Sequence, residues 1–307
     1  MKHVAELQMV PGAGALRRLV EDESALREAW ERAPLVSSGL DDFGDVFSLS
    51  IAERVLHSGI PSSAVRAYLN GAKVPSEGFT VTGPGCNTAP RVCGASLSAQ
   101  ISEGVNVVLE YVELFCPEVA RFLTALARDL GFAALDGAAF IAPAGSRGVV
   151  HYDTSSVFLR QVRGSKRWRV FAPTERWPVG DWQPTMKVGT EQVLEVVLRV
   201  GDCLYIPRGF IHVGDATTEG SIHLSVVMRT PTWGDVLRVA VENAAKCEAL
   251  REAVAPLFMH ADEGRLFREK VMTLGMPSIE SLGVSSPRNE GVALALALRH
   301  QAAAAVD

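Results

Sequence analysis

Residues 151–171, HYDTSSVFLRQVRGSKRWRVF, and residues 201–212, GDCLYIPRGFIH, carry the pattern that decides the fold. Both stretches consist of short apolar or alternating runs with turn residues between them. The same pattern predicts short strands at 137–142, 148–152, 156–162, 167–172, 192–199, 203–206 and 222–228. Because no helix-length period separates these runs, the sequence predicts a mainly β domain, an antiparallel sandwich or barrel.

The flanks of this region carry helical patterns instead. Helices are predicted at 21–33, 61–70 and 117–130, and again after Trp233 at 235–257, 262–273 and 290–304. Residues 71–100 are rich in Gly, Pro, Ser and Thr, which predicts a long irregular excursion suited to a lid or substrate loop. We therefore predict a β core domain at 1–232, including its N-terminal helical and irregular flank, and a C-terminal helical region at 233–307 that could serve as a dimerisation element.

Composition narrows the class of protein. The chain has 307 residues, of which 48% are hydrophobic and 21% charged, so a packed core is expected. A formal net charge of -5 argues against direct nucleic-acid binding. Five cysteines without a CxxC pair, no signal-like N-terminus and no apolar run of about 20 residues predict a cytoplasmic protein that neither crosses nor sits in a membrane.

The chemistry is concentrated in His151, Asp153 and His212. On a strand, His151 and Asp153 would point to one face and Tyr152 to the other. A turn, a short apolar strand and a Pro/Gly bend precede His212. Two imidazoles and one carboxylate form the facial triad of non-haem iron(II) oxygenases, which leaves one face of the metal open. A lone HxD is a weak signal, and a buried core histidine is the usual alternative; the downstream His212 segment favours a metal site.

Lys166 is the candidate partner for a second carboxylate in such a site. A 2-oxo acid that chelates iron through one end needs a buried positive charge at its other end. Strand alternation places Lys166 with Trp168 and Val170 on one face, just past a turn predicted at 163–165. A lysine beside a hairpin turn otherwise faces solvent, but its two apolar neighbours favour the interior.

The stretch from 140 to 235 resembles the ribosomal-oxygenase branch of the JmjC family. The matching segments are PAGSRGVVHYDTSSVFLRQVRGSKRWRVF, GDCLYIPRGFIHVGD, SIHLSVVM and TWGD. A looser likeness extends upstream, so that about two thirds of the chain is covered. The resemblance implies a double-stranded β-helix, or jelly roll, and hydroxylation of an amino-acid side chain, Arg or His, in a protein or peptide substrate such as a ribosomal protein.

The resemblance also implies cofactors and their ligands. Iron(II), 2-oxoglutarate and O2 are the expected cofactor and co-substrates. The family's metal ligands fall on His151, Asp153 and His212, and its co-substrate lysine falls on Lys166. A hydroxyl that contacts the distal carboxylate falls on Ser225. The family further implies a homodimer formed through the C-terminal helices.

Two positions depart from the family pattern. Relatives often carry a Tyr ahead of the PAGS segment and an Asn two residues before it, where this chain has Phe140 and Ala138. Phenylalanine cannot donate a hydrogen bond, so one co-substrate contact is missing or is supplied elsewhere. About 70 residues follow Trp233, which is room for helices but not for an additional winged-helix domain.

Other residues leave alternatives open. His223 is either a core histidine or a group near the metal. Arg160, Arg163, Arg167 and Arg169 form either a solvated strand face or a basic docking surface for an acidic or RNA-bound protein substrate. The substrate itself is alternatively a peptide natural product or a free amino acid. N-methyl-lysine demethylation and a non-catalytic jelly-roll binding module are further alternatives, although the intact triad argues against the last.

Overall fold

The computed structural model describes residues 14–83, 89–131, 134–183, 191–235 and 238. The chain divides into two compact units, residues 1–130 with 135–229 and residues 131–134 with 230–307. The helices and strands between Leu16 and Met228 belong to the first unit. The helices predicted at 235–257, 262–273 and 290–304 lie outside the described residues, apart from positions 235 and 238.

The first unit is built on antiparallel strands, as the sequence predicts. Among the described residues, nine strands form one sheet in the order β1-β10-β8-β11-β7-β6-β2-β3, with β9 also paired to β8, while β4 and β5 form a separate pair. Every pairing is antiparallel. The strands are β1 (Leu35–Ser37), β2 (Val65–Leu69), β3 (Ala72–Lys73), β4 (Thr80–Val81), β5 (Arg91–Val92), β6 (Asn106–Glu110), β7 (Leu135–Ala142), β8 (Ser156–Phe171), β9 (Gln192–Leu198), β10 (Cys203–Ile206) and β11 (Ile211–Met228).

Two long strands, β8 and β11, pair along almost their whole length and give the core its rolled shape. The turn predicted at 163–165 is wrong, because β8 continues through it. Gly164 has a φ of +61°, and a Cβ there would lie 2.2 Å from the Gly220 carbonyl oxygen. The glycine therefore bends the strand against its neighbour without ending it.

Four helices flank the sheet within the described residues: α1 (Glu23–Ala29), α2 (Leu49–His57), α3 (Gly94–Ser102) and α4 (Pro117–Leu130). The prediction for 117–130 is confirmed, and that for 21–33 is confirmed over its centre. The side chains of Asp22 and Ser48 cap α1 and α2 by accepting hydrogen bonds from backbone N–H groups. No helix in the described part of the chain is long and apolar enough to cross a bilayer.

Two predictions upstream of the core are wrong. Residues 61–70 form a short 3₁₀ turn and then β2, because Val65 and Ala67 bury one face of the strand against β6. The 71–100 stretch is not irregular throughout, since it contains β3, β4, β5 and α3. At 65–69, pairing with β6 overrides the local pattern, whereas β3 pairs with the adjacent β2 and β4 pairs with β5 within the 71–100 stretch itself.

The interior between β8 and its neighbours is apolar. Val170 is fully buried and Trp168 is nearly so. Each such side chain contributes roughly 1.5–3 kcal/mol to the stability of the fold. This cluster consists of Val157, Leu159, Trp168, Val170, Leu198, Leu204, Ile206 and Phe210.

The outward face of β8 does not form the common basic surface that the sequence allowed. Arg167 donates a hydrogen bond to Glu195 at 2.8 Å, and Arg169 donates one to Asp215 at 2.7 Å. Arg160 is buried and donates to two backbone carbonyls, of Asp41 and Asp202. Three of the four arginines are therefore neutralised or enclosed, which removes the basis for a basic docking surface.

We predict that Gly148→Ala destabilises the protein. A Cβ at this position would lie 2.4 Å from the Gly214 carbonyl oxygen and 3.1 Å from its nitrogen, and backbone atoms cannot move aside as a flexible side chain can. We expect the free energy of unfolding to fall by about 1–3 kcal/mol, measured by urea denaturation. Gly180→Ala is the control, because no atom lies within 4 Å of its added Cβ. Equal unfolding midpoints for the two variants would contradict the prediction.

Candidate metal centre

His151, Asp153 and His212 come together at one end of the rolled sheet. One ligand atom from each lies within 4.8 Å of the other two, and no other group of three or more potential ligands is found in the described residues. The Asp153 carboxylate oxygens lie 3.7 Å from His151 Nε2 and 3.6 Å from His212 Nε2. The predicted triad residues are therefore adjacent, and one potential donor atom of each lies close enough to the other two for a single ion to contact all three.

His151 reaches this position without a regular strand. The strand predicted at 148–152 is wrong, because only one isolated bridge forms there. His151 N–H donates to the His212 carbonyl at 3.1 Å, and His212 N–H donates back at 2.7 Å. These two reciprocal hydrogen bonds join the backbones of His151 and His212 directly. The distance between the two histidines is therefore set without a regular strand at 148–152.

The two imidazoles are oriented by their own backbone. His151 Nδ1 lies 2.9 Å from the Val149 carbonyl oxygen, and His212 Nδ1 lies 3.0 Å from that of Phe210. A carbonyl only accepts hydrogen bonds, so each Nδ1 carries the proton and each Nε2 keeps a free lone pair. That tautomer is the one a histidine needs in order to bind a metal through Nε2.

The Pro/Gly bend predicted before His212 is confirmed, and it also positions Asp153. Gly209 has a φ of +83°, and its N–H donates to the Asp153 carbonyl at 2.9 Å. A Cβ at Gly209 would lie 2.7 Å from Pro178 Cδ. The bend therefore requires glycine, and it fixes the backbone of the carboxylate ligand candidate.

The centre has one closed and one open side. The His212 side chain is 4% exposed, whereas those of His151 and Asp153 are 42% and 41% exposed. Burial, with His151 nearby, lowers the pKa of His212 to about 4, although Asp153 acts in the opposite direction. His212 is thus neutral at pH 7, as a metal ligand must be.

Lys166 lies on the inner face, as strand alternation predicts. It is 7% exposed, and its Nζ is 4.7 Å from the centre of the Trp168 ring and 5.7 Å from that of Phe140. No carboxylate of the described residues lies within 4.0 Å of this ammonium group. Burial lowers the pKa of Lys166 to about 8, partly offset by the charge of Asp215. A buried cation that makes no direct ion pair is costly, which indicates an anionic ligand.

The wall beside Lys166 combines β7 and β11. In their register His223 lies opposite Phe140, and Ser225 lies opposite Ala138. The His223 and Phe140 rings are stacked, with centroids 4.8 Å apart and planes within 7°. The Ser225 hydroxyl is buried and has no hydrogen-bond partner among the described residues. Phe140 and Ala138, the two departures from the family pattern, therefore lie directly opposite His223 and Ser225. These two polar side chains could replace the hydrogen bonds that Phe140 and Ala138 cannot make.

Gly214 is a part of the site that sequence reasoning missed. It pairs with Trp168, and a Cβ there would lie 2.7 Å from Lys166 Cε and 2.8 Å from the Trp168 ring. The missing side chain provides the space in which both residues lie. The sequence could have indicated this position, because Gly214 is two residues after His212 on a strand and therefore lies on the same inward face.

These residues suit an iron(II) ion and a dicarboxylate. Two imidazoles and one carboxylate are the donor set of a non-haem iron(II) site with open positions. The unpaired ammonium of Lys166 and the unpartnered hydroxyl of Ser225 suit a carboxylate at the far end of the pocket. His223 is not one of the clustered metal ligands but a buried part of the pocket wall.

Comparison with known proteins gives matches over the same region. Residues 115–236 match the model of the JmjC domain. Ribosomal oxygenase 1 of Gallus gallus is 32% identical over 229 residues, which are 70% of this chain and 36% of that protein. The bifunctional lysine-specific demethylase and histidyl-hydroxylase NO66 of Brugia malayi is 30% identical over 167 residues, 52% of this chain and 23% of that protein. The chain thus spans about a third or less of the length of these relatives.

Solved structures give the same fold. The Escherichia coli ribosomal oxygenase YcfD, in complex with cobalt and 2-oxoglutarate, aligns with a TM-score of 0.55 and 19% identity. The alignment covers 89% of this chain and 69% of that one. The jelly-roll prediction is confirmed by this likeness and by the observed sheet.

We predict that Gly214→Ala weakens the binding of a dicarboxylate but not of a metal. The added methyl group displaces Lys166 and Trp168, which supply its three nearest heavy-atom contacts, so the change acts first on the carboxylate end of the pocket. We expect the Kd for 2-oxoglutarate, measured by calorimetry on Mn²⁺-loaded protein, to rise roughly tenfold, or about 1.4 kcal/mol. An unchanged Kd for 2-oxoglutarate would show that Gly214 does not shape the pocket.

Proposed function

We propose that this chain, which matches the JmjC domain over residues 115–236 and is similar to ribosomal oxygenases, is an iron(II)- and 2-oxoglutarate-dependent oxygenase that hydroxylates a side chain in a protein. The observation that carries the proposal is the arrangement of the inner wall. Three metal-ligand candidates with free donor atoms lie at one end of it, and an unpaired buried lysine lies further along the same face.

His151, Asp153 and His212 would hold the iron. The two Nε2 atoms and the carboxylate would supply three ligands to an iron(II) ion and would leave its other coordination positions for exogenous ligands. When bound, iron(II) with 2-oxoglutarate and O2 supplies the oxidising power for hydroxylating an unactivated C–H bond, and 2-oxoglutarate leaves as succinate and CO2. The chain contributes the fixed tautomers of the two histidines, through the carbonyls of Val149 and Phe210.

Lys166 would bind the distal carboxylate of 2-oxoglutarate. Its ammonium lies in a mostly apolar wall, where an ion pair is stronger than in water. Ser225, two residues from His223 on the same face of β11, would donate a hydrogen bond to the same carboxylate. Trp168 and Val170 exclude water from the space between this end and the metal, which protects a reactive centre from side reactions.

The target would approach from the exposed side of the centre. His151 and Asp153 are each about two-fifths exposed there, so the open metal face is accessible from solvent. The relatives are named ribosomal oxygenases and a bifunctional lysine-specific demethylase and histidyl-hydroxylase, which supports a His side chain of a ribosomal protein as the first target to test. Arg, the other side chain that the resemblance implies, stays a prediction. Cytoplasmic location, absence of direct nucleic-acid contact and a homodimer through the C-terminal helices remain predictions, as do the domain bounds 1–232 and 233–307.

A peptide natural product or free amino acid is the second candidate substrate. The observation that favours it is the pair Phe140 and Ala138, which changes the pocket wall relative to the family pattern. A gain of about 16 Da on small peptides, but not on ribosomal proteins, would identify this alternative. Release of formaldehyde from a methyl-lysine peptide would instead identify demethylation.

The proposed reaction predicts the effect of removing a metal ligand. Purified protein with iron(II), ascorbate and 2-oxoglutarate is expected to produce succinate. His151→Ala and Asp153→Ala should abolish this turnover, because each removes one of three protein ligands. His57→Ala is the matched control, since His57 is exposed on α2 and should leave turnover unchanged. Succinate formation that persists in both ligand variants would rule out the metal assignment.

The pKa of Lys166 predicts a pH dependence of co-substrate binding. Only the protonated ammonium pairs with a carboxylate, and its pKa of about 8 in the free protein means that this form declines as the pH rises above 8. The Kd for 2-oxoglutarate should therefore be flat below pH 8 and rise by up to about tenfold per pH unit above it. In Lys166→Arg, whose guanidinium stays charged, the rise should disappear. A rise of the same size in both proteins would assign the dependence to another group.

A further inference from the structure

We propose that His223 is a co-substrate ligand, which donates a ring N–H hydrogen bond to the distal carboxylate of 2-oxoglutarate where Phe140 cannot. This inference rests on the proposed function. It assigns a direct binding role to a histidine that the metal centre does not use, and it explains how the pocket tolerates the loss of a tyrosine hydroxyl.

The first observation that supports this role is that the buried His223 ring makes no hydrogen bond within the described residues. His223 is 1% exposed, and neither ring nitrogen has a hydrogen-bond partner among the described residues. A buried histidine that serves only packing normally has its N–H satisfied, because an unpaired buried polar group is costly. The ring therefore indicates a partner that is a ligand of the pocket.

The second support is the way the ring is held. Phe140 stacks on one face of the imidazole at 4.8 Å, and Trp168 meets it nearly perpendicularly, at 81° and 5.5 Å. These two contacts fix the plane of the ring, and the nitrogens lie at its edge, within that plane. His223 is thus pre-oriented, and a hydrogen bond to a ligand costs little further ordering.

The third observation that supports this role is the positive charge of Lys166, which lies close to the His223 ring. Lys166 lies over both aromatic neighbours of His223, at 5.7 Å from Phe140 and 4.7 Å from Trp168. Burial and this nearby ammonium hold the pKa of His223 well below its usual value, so the ring is neutral and carries one N–H. A group that accepts from this N–H and also balances Lys166 must be an anion with several lone pairs, and a carboxylate fits.

The register explains why this histidine takes the role. Phe140 of β7 lies directly opposite His223 of β11, so a hydroxyl on a tyrosine at position 140 would project from the same layer of the wall. With phenylalanine there, the imidazole of His223 supplies a neutral N–H donor in that layer of the wall. Ser225 follows two residues later on the same face and can donate to the second carboxylate oxygen.

The test compares variants of the Mn²⁺-loaded full chain by calorimetric titration with 2-oxoglutarate. His223→Phe keeps a ring that can stack on Phe140 but removes both nitrogens. We expect its Kd for 2-oxoglutarate to rise roughly ten- to hundredfold, the usual effect of losing a hydrogen bond to a charged group, with Mn²⁺ affinity unchanged. Adding Phe140→Tyr to this variant should recover at least part of the loss, because the phenol restores a donor across the register.

Lys166→Ala separates this inference from the proposed function. If Lys166→Ala loses 2-oxoglutarate affinity and His223→Phe binds like the parent, the role of His223 is overturned while the pocket stands. If both variants bind like the parent, the pocket itself is misassigned and the proposed function fails with it.

A measurement on the unmodified chain covers the case in which His223→Phe does not fold. With Zn²⁺ as a diamagnetic metal, the ring N–H of His223, identified by its proximity to Phe140, is followed by NMR. Addition of 2-oxoglutarate should shift this proton downfield and slow its exchange with water. An N–H resonance that does not move on saturation with 2-oxoglutarate would overturn the inference.

Discussion

The pairing of β8 with β11 is the constraint on which the rest of the structure depends. Their register places His212 beside Val170, Gly214 beside Trp168 and Ala216 beside Lys166. Side chains alternate between the two faces of a strand, so a slip by one residue would turn the lysine and the tryptophan out to solvent. One ladder of backbone hydrogen bonds thus sets both the metal end and the carboxylate end of the pocket, and the distance between them.

The electrostatics of the pocket are unbalanced without ligands. His212 is held neutral by burial, and His223 is neutral for the same reason and because of the lysine nearby. Among the described residues, no carboxylate lies within 4.0 Å of the Lys166 ammonium. Such a set would cost stability if it had only a structural role. Together with the exposed carboxylate of Asp153, these residues suit a metal dication beside His212 and an anion beside Lys166.

Close backbone contacts explain why small residues recur around the site. Gly214 makes space for Lys166 and Trp168, Gly209 permits the bend that holds Asp153, and Gly148 lets the strand-like segment before His151 lie against β11. These positions bring the chain close enough for the His151–His212 bridge to form. The geometry of the site therefore depends on these three glycines as well as on the metal-ligand candidates.

Local sequence predicted the main residues of the candidate site. HxD spacing indicated His151 and Asp153, the turn, short strand and bend indicated His212, and alternation placed Lys166 inward with Trp168. Local sequence also determined the antiparallel class and α4. Tertiary structure alone decided that 61–70 becomes a strand on β6, that β8 passes through Gly164 unbroken and that His151 needs only one bridge. It also alone revealed the unpartnered nitrogens of His223. Each of these depends on a segment distant in the chain, whose position no local pattern contains.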